Sequence, residues 1–295
     1  MKISKKASAE VIGAAALWGC IGVFFKALTA AGFSQMQAVA MRVTIAAVLF
    51  TGYMLVRDRE ALRIRFRDIP YFMGTGILSL AFFNICYFYT IRQSGLSVAA
   101  VLLYTSPIFV ALFSAALFGE KLTGRKCLAL AMTFLGCVFV TGVLHGGNFN
   151  MIALLSGLGS GIGYALYSIF GKLALKKYAP MTVTAYTFIF AAVSVLPFAG
   201  VWEIPGLIAD WQTALAALCI GVLCCVLPYV LYTSGLNRLE PGRAAILATV
   251  EPVVAAILDV TVYHAAITLD KTAGVLLVVA AVVVLNTGAK TKDDT

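Results

Sequence analysis

The chain has 295 residues, 61% of them hydrophobic and 12% charged, with a net charge of +9 and a mean hydropathy of +0.96. A soluble domain is near half apolar and a quarter charged, so a soluble fold is excluded and lipid must be the solvent for most of this surface. The positive charge sits in short connections between apolar stretches, a distribution that sets membrane orientation and does not suit a nucleic-acid partner.

A bilayer-crossing helix needs about 20 mostly apolar residues. Ten such stretches follow one another: residues 9–28, 35–56, 69–91, 97–118, 124–144, 151–173, 181–201, 212–235, 242–263 and 272–289. The opening MKISKK and the apolar run behind it lack a small-x-small cleavage site and read as an uncleaved first helix. All seven cysteines fall inside the spans, without metal-ligand spacing or a disulfide framework, and read as small buried hydrophobes. The expected fold is an all-α integral membrane protein of ten transmembrane helices.

Taking alternate connections, one side collects eighteen of the 22 Lys and Arg, from Lys2, Lys5 and Lys6 through Arg57–Arg67, Lys121–Lys126, Lys172–Lys177, Arg238 and Arg243 to Lys290 and Lys292. The other side holds Lys26, Arg92 and Lys271. The excess marks the cytoplasmic face, so both termini are expected inside the cell at the cytoplasmic (inner) membrane.

Pro107 in YTSPIFVAL and Pro252 in TVEPVVAAI lie 145 residues apart, each well inside a hydrophobic span. At the same offset Tyr87 meets Tyr232, Ala99 and Ala100 meet Ala244 and Ala245, Leu102 meets Leu247, and Ala111 meets Ala256. The chain therefore reads as two five-helix repeats, 9–144 and 151–289. An odd number of spans per half makes the second repeat start on the opposite side, which gives inverted topology. Helices interrupted at corresponding places of two such halves mark a transporter's binding site. Proline removes a helical hydrogen bond, and in lipid the freed carbonyls must face protein, water or ligand. Pro107 and Pro252 are accordingly the candidate helix-break and gating positions; a kink that only aids packing is the alternative.

The candidate substrate-binding residues are spread over seven spans. Trp18 is in the first and Arg42 in the second. Asn84 and Tyr87 lie three apart in the third, on one helix face, and Tyr229 and Tyr232 occupy the corresponding places in the eighth. Tyr104 and Tyr164 are in the fourth and sixth. Glu251, beside Pro252, is a mid-span carboxylate. A charge facing lipid there costs at least ~2.5 kcal/mol, so it should face the interior with a partner. Its roles are ligation of an amine or cation, protonation coupled to transport, or a structural pair with a hydroxyl or Arg. Arg42 could hold a carboxylate bidentately, snorkel, or pair with Glu251. Asp259 reads as a vestibule or interfacial residue, and Lys26 and Lys172 as interfacial anchors on opposite sides. Gly157–Gly161 and Gly159–Gly163 allow close helix approach.

Trp18-Gly19, Arg42, the block from Ser106 to Val140 (SPIFVALFSAALFGEKLTGRKCLALAMTFLGCVFV), Gly235-Leu236 and EPVVAAI at Glu251–Ile257 together resemble the ten-helix EamA family of the drug/metabolite transporter superfamily, over residues 9–289. The piece from Pro107 to Glu120 is the most specific. Where relatives repeat Gly-Glu in the second half, this chain has His264-Ala265, so a structural or gating role for that carboxylate does not carry over there. The resemblance implies a carrier of small metabolites, often amino acids, usually moving them outward.

The function expected is secondary transport by alternating access, most of all export of amino acids or related solutes. An uptake permease and proton-coupled efflux of lipophilic or cationic drugs remain the alternatives. A membrane enzyme lacks a catalytic set, since the histidines are His145 and His264 alone and the carboxylates are not clustered; a channel lacks a selectivity loop. No cofactor or metal is expected, and there is no nucleotide-binding motif. The expected partners are a small-molecule substrate, protons as a candidate coupling ion, and the bilayer. Monomer and homodimer are both open.

Overall fold

A computed structural model describes residues 2–145 and 150–287. Lys290, Lys292 and the end of the tenth stretch at 289 lie outside the described residues, as do the side chains of Lys2 and His145. Among the described residues all regular structure is helical. Ten helical spans are long and apolar enough to cross a bilayer: Lys5–Ala30, Gln35–Arg57, Phe66–Ser94, Leu96–Phe118, Gly124–Thr141, Met151–Leu175, Pro180–Phe198, Trp211–Arg238, Pro241–Tyr263 and Leu269–Asn286. They match the ten stretches read from hydropathy, and the chain is a multi-pass membrane protein.

Local chemistry sets the ends of the spans. Ser34 and Gln37 form a reciprocal capping box that opens the second span, which satisfies two orphan amides at once. Asn150 accepts from the Ala153 amide at 2.7 Å and Asp210 from the Thr213 amide at 2.7 Å, opening the sixth and eighth. Pro180 and Pro241 stand in the first turns of the seventh and ninth, where no amide donor is missed.

The main helix contacts join the two halves. The first span lies against the eighth and ninth, and the sixth against the third and fourth. The second crosses the seventh, the fourth meets the ninth, and the fifth runs along the tenth. Exchanging the halves maps this pattern onto itself. At the last crossing, a Cβ on Gly136 would come 2.9 Å from the Gly274 carbonyl, and one on Gly274 2.7 Å from the Gly136 carbonyl. Small residues thus bring these backbones together where lipid offers no hydrophobic drive.

Five spans are irregular at mid-depth; the first is interrupted at Cys20, between Lys2–Gly19 and Ile21–Ala30. The fourth is two helices, Leu96–Leu103 and Ser106–Phe118, and the ninth is Pro241–Ala248 and Val250–Tyr263. The breaks fall at Tyr104–Thr105 and at Thr249, just ahead of the prolines. Pro107 and Pro252 therefore sit in the first turn of the following helix, where the backbone amides have no intrahelical acceptor anyway. Thr105 Oγ1 donates to the Leu102 carbonyl and Thr249 Oγ1 to the Ile246 carbonyl, each at 2.6 Å, so each break covers part of its own exposed backbone. The third and eighth spans carry π-helical stretches at Gly74–Ala81 and Val222–Val226. Nothing in the hydropathy announces them.

Candidate functional site

Between the irregular segments lies a cleft of about 790 Å³. Trp18, Arg42, Asn84, Tyr87, Tyr104, Tyr164, Tyr229, Glu251 and Pro252 all line it. Apart from Tyr164, Tyr229 and Glu251 at the floor, the lining residues occupy the half of each span next to the Lys/Arg-poor end, and the mouth is edged by Lys26, Gln35, Ser97, Asp259, Tyr263 and Lys271. The cleft is therefore open at that end.

Its floor is aromatic. Trp18 packs edge-on against Tyr164 and Tyr229, with ring centroids 6.4 and 5.2 Å apart, and Phe83 stands edge-on to Tyr164 at 5.6 Å. Edge-to-face geometry sets the positive ring edge on a negative face, so these rings hold one another upright. Asn84 is buried and donates to the Leu80 carbonyl at 2.6 Å.

Two charges face this space. The Tyr164 hydroxyl donates to Glu251 Oε2 at 3.4 Å, and Arg42 Nε is buried without a hydrogen-bond partner. Among the described residues no ion pair joins Arg42 to Glu251. A guanidinium and a carboxyl group thus share one cleft without touching. That arrangement suits a ligand carrying both charges.

The ninth span is pinned here by Gly19. A Cβ at that position would come 2.8 Å from the Glu251 carbonyl and 2.6 Å from Val254 Cβ. On the other half, a Cβ at Gly161 would lie 2.8 Å from the Leu102 carbonyl and 2.6 Å from Thr105 Oγ1. The first span of each half therefore touches the break in the other half.

Two sequence expectations are corrected. Tyr232 is not on the cleft wall; it lies beneath the floor, its hydroxyl 2.7 Å from Ser168 Oγ and its ring 5.2 Å from Trp18. In this structure that hydroxyl is bonded inside the core and does not face the cleft. Lys172 is not a simple interfacial anchor. Its ammonium donates to the carbonyls of Leu236, Asn237 and Leu239 at 2.8, 3.1 and 2.8 Å, closing off the end of the eighth span. Both partners come from a helix more than sixty residues away, which single-helix periodicity does not reveal.

Below the floor the Lys/Arg-rich end is shut. Tyr167 and Thr233 hydroxyls meet at 2.6 Å. Deeper, the buried Glu120 accepts from Ser114 Oγ, from Lys126 Nζ at 2.7 Å and from the Gly242 amide at 3.1 Å. Lys126 continues to Glu240 at 2.6 Å. This network ties the end of the fourth span to the starts of the fifth and ninth. Arg238 pairs with Glu10, and Lys177 with Asp68 at 2.5 Å; that carboxylate holds the Lys177 ammonium above its ordinary pKa. Glu120 was legible as part of a motif, but its three partners were not.

The mouth has its own charges. Asp259 takes Lys26 at 3.4 Å and Lys271 at 3.5 Å, and the Lys26 ammonium lies 3.6 Å over the Tyr263 ring. Asp259 is thus a vestibule residue in position. Among the described residues no group of three or more His, Cys, Asp or Glu could hold a metal ion.

Comparison with known proteins places this architecture. The chain is 28% identical over 280 residues to an uncharacterized transporter of Archaeoglobus fulgidus, covering 94% of both chains, and 23% identical to the uncharacterized transporter YvbV of Bacillus subtilis, covering 71% of both. A crystal structure of 20% identity shares the fold with a TM-score of 0.80, over 96% of this chain and 97% of that one. The family model for EamA-like transporters matches twice, at residues 7–142 and 151–287, on either side of the central connection. With both halves matched, the chain belongs to the EamA-like transporter family and is a membrane transporter.

Proposed function

We propose that this protein is a secondary transporter that works by alternating access and moves small amphipathic metabolites, amino acids or related solutes, outward across the cytoplasmic membrane. The observation that carries this reading is the cleft holding Arg42 and Glu251, with no ion pair between them, among aromatic walls, open at one end and locked at the other by Glu120 and Lys126. Arg42 would take a carboxylate through its planar fork, Glu251 an amine, and the rings the apolar remainder. The halves would be inverted repeats, in keeping with a helix-contact pattern that survives their exchange. The basic end would face the cytosol, so that the cleft opens outward.

A second reading is proton-coupled efflux of organic cations. It is favoured by one carboxylate standing among Trp18, Tyr104 and Tyr164, since aromatic faces attract cations by about 0.5–2 kcal/mol. In that reading Glu251 exchanges its proton for the cation and Arg42 plays no part in binding.

Flux from proteoliposomes loaded with amino acids, sugars or cationic dyes separates the readings. Counterflow of an amino acid lost in Arg42→Gln supports the first. Dye efflux that survives Arg42→Gln and fails in Glu251→Gln supports the second, and no flux of any of these solutes would overturn both.

A further inference from the structure

The lock at the closed end has a counterpart at the open end when positions 145 apart are compared. Gly119 and His264 both take left-handed backbone, φ 67° and 53°, at the ends of the fourth and ninth spans. The Glu120 amide donates to the Ser114 carbonyl at 3.3 Å, and the Ala265 amide to the Asp259 carbonyl at 3.2 Å. Thr123 caps the Lys126 amide, and Thr268 caps the Lys271 amide. Position 114 therefore corresponds to 259, 120 to 265 and 126 to 271. Lys271 is the mate of Lys126. Ala265 stands where the carboxylate of Glu120 would be, and the carboxylate appears instead at Asp259, the mate of Ser114.

In the closed lock Ser114 Oγ and Glu120 Oε2 are in direct contact. With the same backbone turn at the mouth, moving the carboxylate from one of these positions to the other keeps it within the same small volume. Gly242, whose amide Glu120 holds, corresponds to Ser97, which edges the cleft mouth with Asp259 and Lys271. Lys172, which closes the carbonyls of Leu236, Asn237 and Leu239, corresponds to Lys26 with one inserted residue. The mates of those carbonyls are on Ile91, Arg92 and Ser94. The sixth span also packs on the eighth and ninth, whereas the cleft stands between the first span and the third and fourth.

We infer that Asp259, Lys271 and Lys26 form the outer latch of the transport cycle, disengaged in this structure. This rests on the alternating-access reading. When the mouth shuts, Asp259 accepts the Ser97 amide while keeping Lys271. Lys26 leaves Asp259 and caps the carbonyls of Ile91, Arg92 and Ser94 at the end of the third span. In the open state both lysines share a single half-exposed carboxylate at 3.4 and 3.5 Å. Long, solvated ion pairs of this kind contribute little and are readily exchanged.

The test is amide hydrogen exchange on the full chain in nanodiscs. Glu120→Gln weakens the closed lock; exchange at residues 238–244 should rise and exchange at 91–99 should fall at least fivefold as the mouth shuts. Adding Asp259→Asn to Glu120→Gln should abolish that gain at 91–99, and Lys26→Gln should reduce it. Adding Asp259→Ser together with Ala265→Glu instead should restore it, because the carboxylate returns to the position used at the other end. If 91–99 gains protection in Glu120→Gln and keeps it in the Asp259→Asn combination, the latch is wrong and alternating access stands. If 91–99 gains nothing in Glu120→Gln while 238–244 opens, the two ends are uncoupled and the alternating-access reading falls with it.

Discussion

Tyr164 and Glu251 meet across the cleft at 3.4 Å, and among the described residues this hydroxyl is the one side-chain hydrogen-bond partner of that carboxylate. The sixth span thereby steadies the broken ninth span of the same half at the depth where the floor begins. A carboxylate with a single long partner has acceptor capacity to spare. That capacity is what a substrate amine or a proton would use.

Glu251→Gln keeps the shape and removes the charge. Flux of amine-bearing substrates should fall about tenfold to a hundredfold, the worth of a charged hydrogen bond of about 1.5–3 kcal/mol. Any dependence of flux on an imposed pH gradient should disappear with it. Tyr164→Phe should cost less, about threefold to tenfold in apparent affinity, because the carboxylate remains. Initial rates in proteoliposomes at several internal pH values check both.

Arg42→Lys should not rescue transport of a carboxylate-bearing solute, since an ammonium cannot reproduce a planar two-pronged contact. Arg42→Gln and Arg42→Lys should show comparable losses in affinity, measured by ligand-induced thermal stabilisation.

Gly242→Ala should disturb the closed end. A Cβ there would lie 2.6 Å from Glu120 Oε1, and that carboxylate is already held by Ser114, Lys126 and the Gly242 amide. Overpacking of this kind costs about 1–3 kcal/mol. The melting temperature should drop, and modification of residues near 238–244 should become faster.

Thr105→Val and Thr249→Val remove the hydroxyls that cover the Leu102 and Ile246 carbonyls at the two breaks. Each should lower stability by about 0.5–1.5 kcal/mol, read as a reduced melting temperature in detergent. Similar losses in the two variants would mean that the breaks are held in the same way.

Membrane orientation is open to direct measurement. A cysteine at Arg63 should be shielded from an impermeant thiol reagent in intact cells, and one at Leu269, 90% exposed, should react. The opposite result would reverse the assignment of the basic end.

Much of this architecture is readable from composition, and the reason is lipid. A stretch near twenty apolar residues has few alternatives in a bilayer, so all ten spans, and the cleft-lining Trp18, Arg42, Asn84, Tyr87, Tyr104, Tyr164, Tyr229 and Glu251, are found from polar groups out of place. The fates of Tyr232 and Lys172 were hidden because each is decided by a partner on another helix, Ser168 in one case and a row of carbonyls in the other. The π-helical stretches were hidden for a different reason. A shift from i−4 to i−5 hydrogen bonding changes neither hydropathy nor length enough to register, and only Pro228, just after the Val222–Val226 stretch, hints at one of them. The mouth cluster of Lys26, Asp259 and Lys271 joins residues up to 245 positions apart, beyond any local pattern.

The breaks at Tyr104–Thr105 and Thr249 divide two membrane-long rods into short levers of eight to fourteen residues. A lever of that size can swing about its joint while its neighbour in the same span stays bolted to the scaffold. Exposure can then switch from one side to the other without tilting a complete helix through lipid, and little bilayer need be deformed per cycle. Such a carrier should be less sensitive to acyl-chain length than one whose whole helices rock.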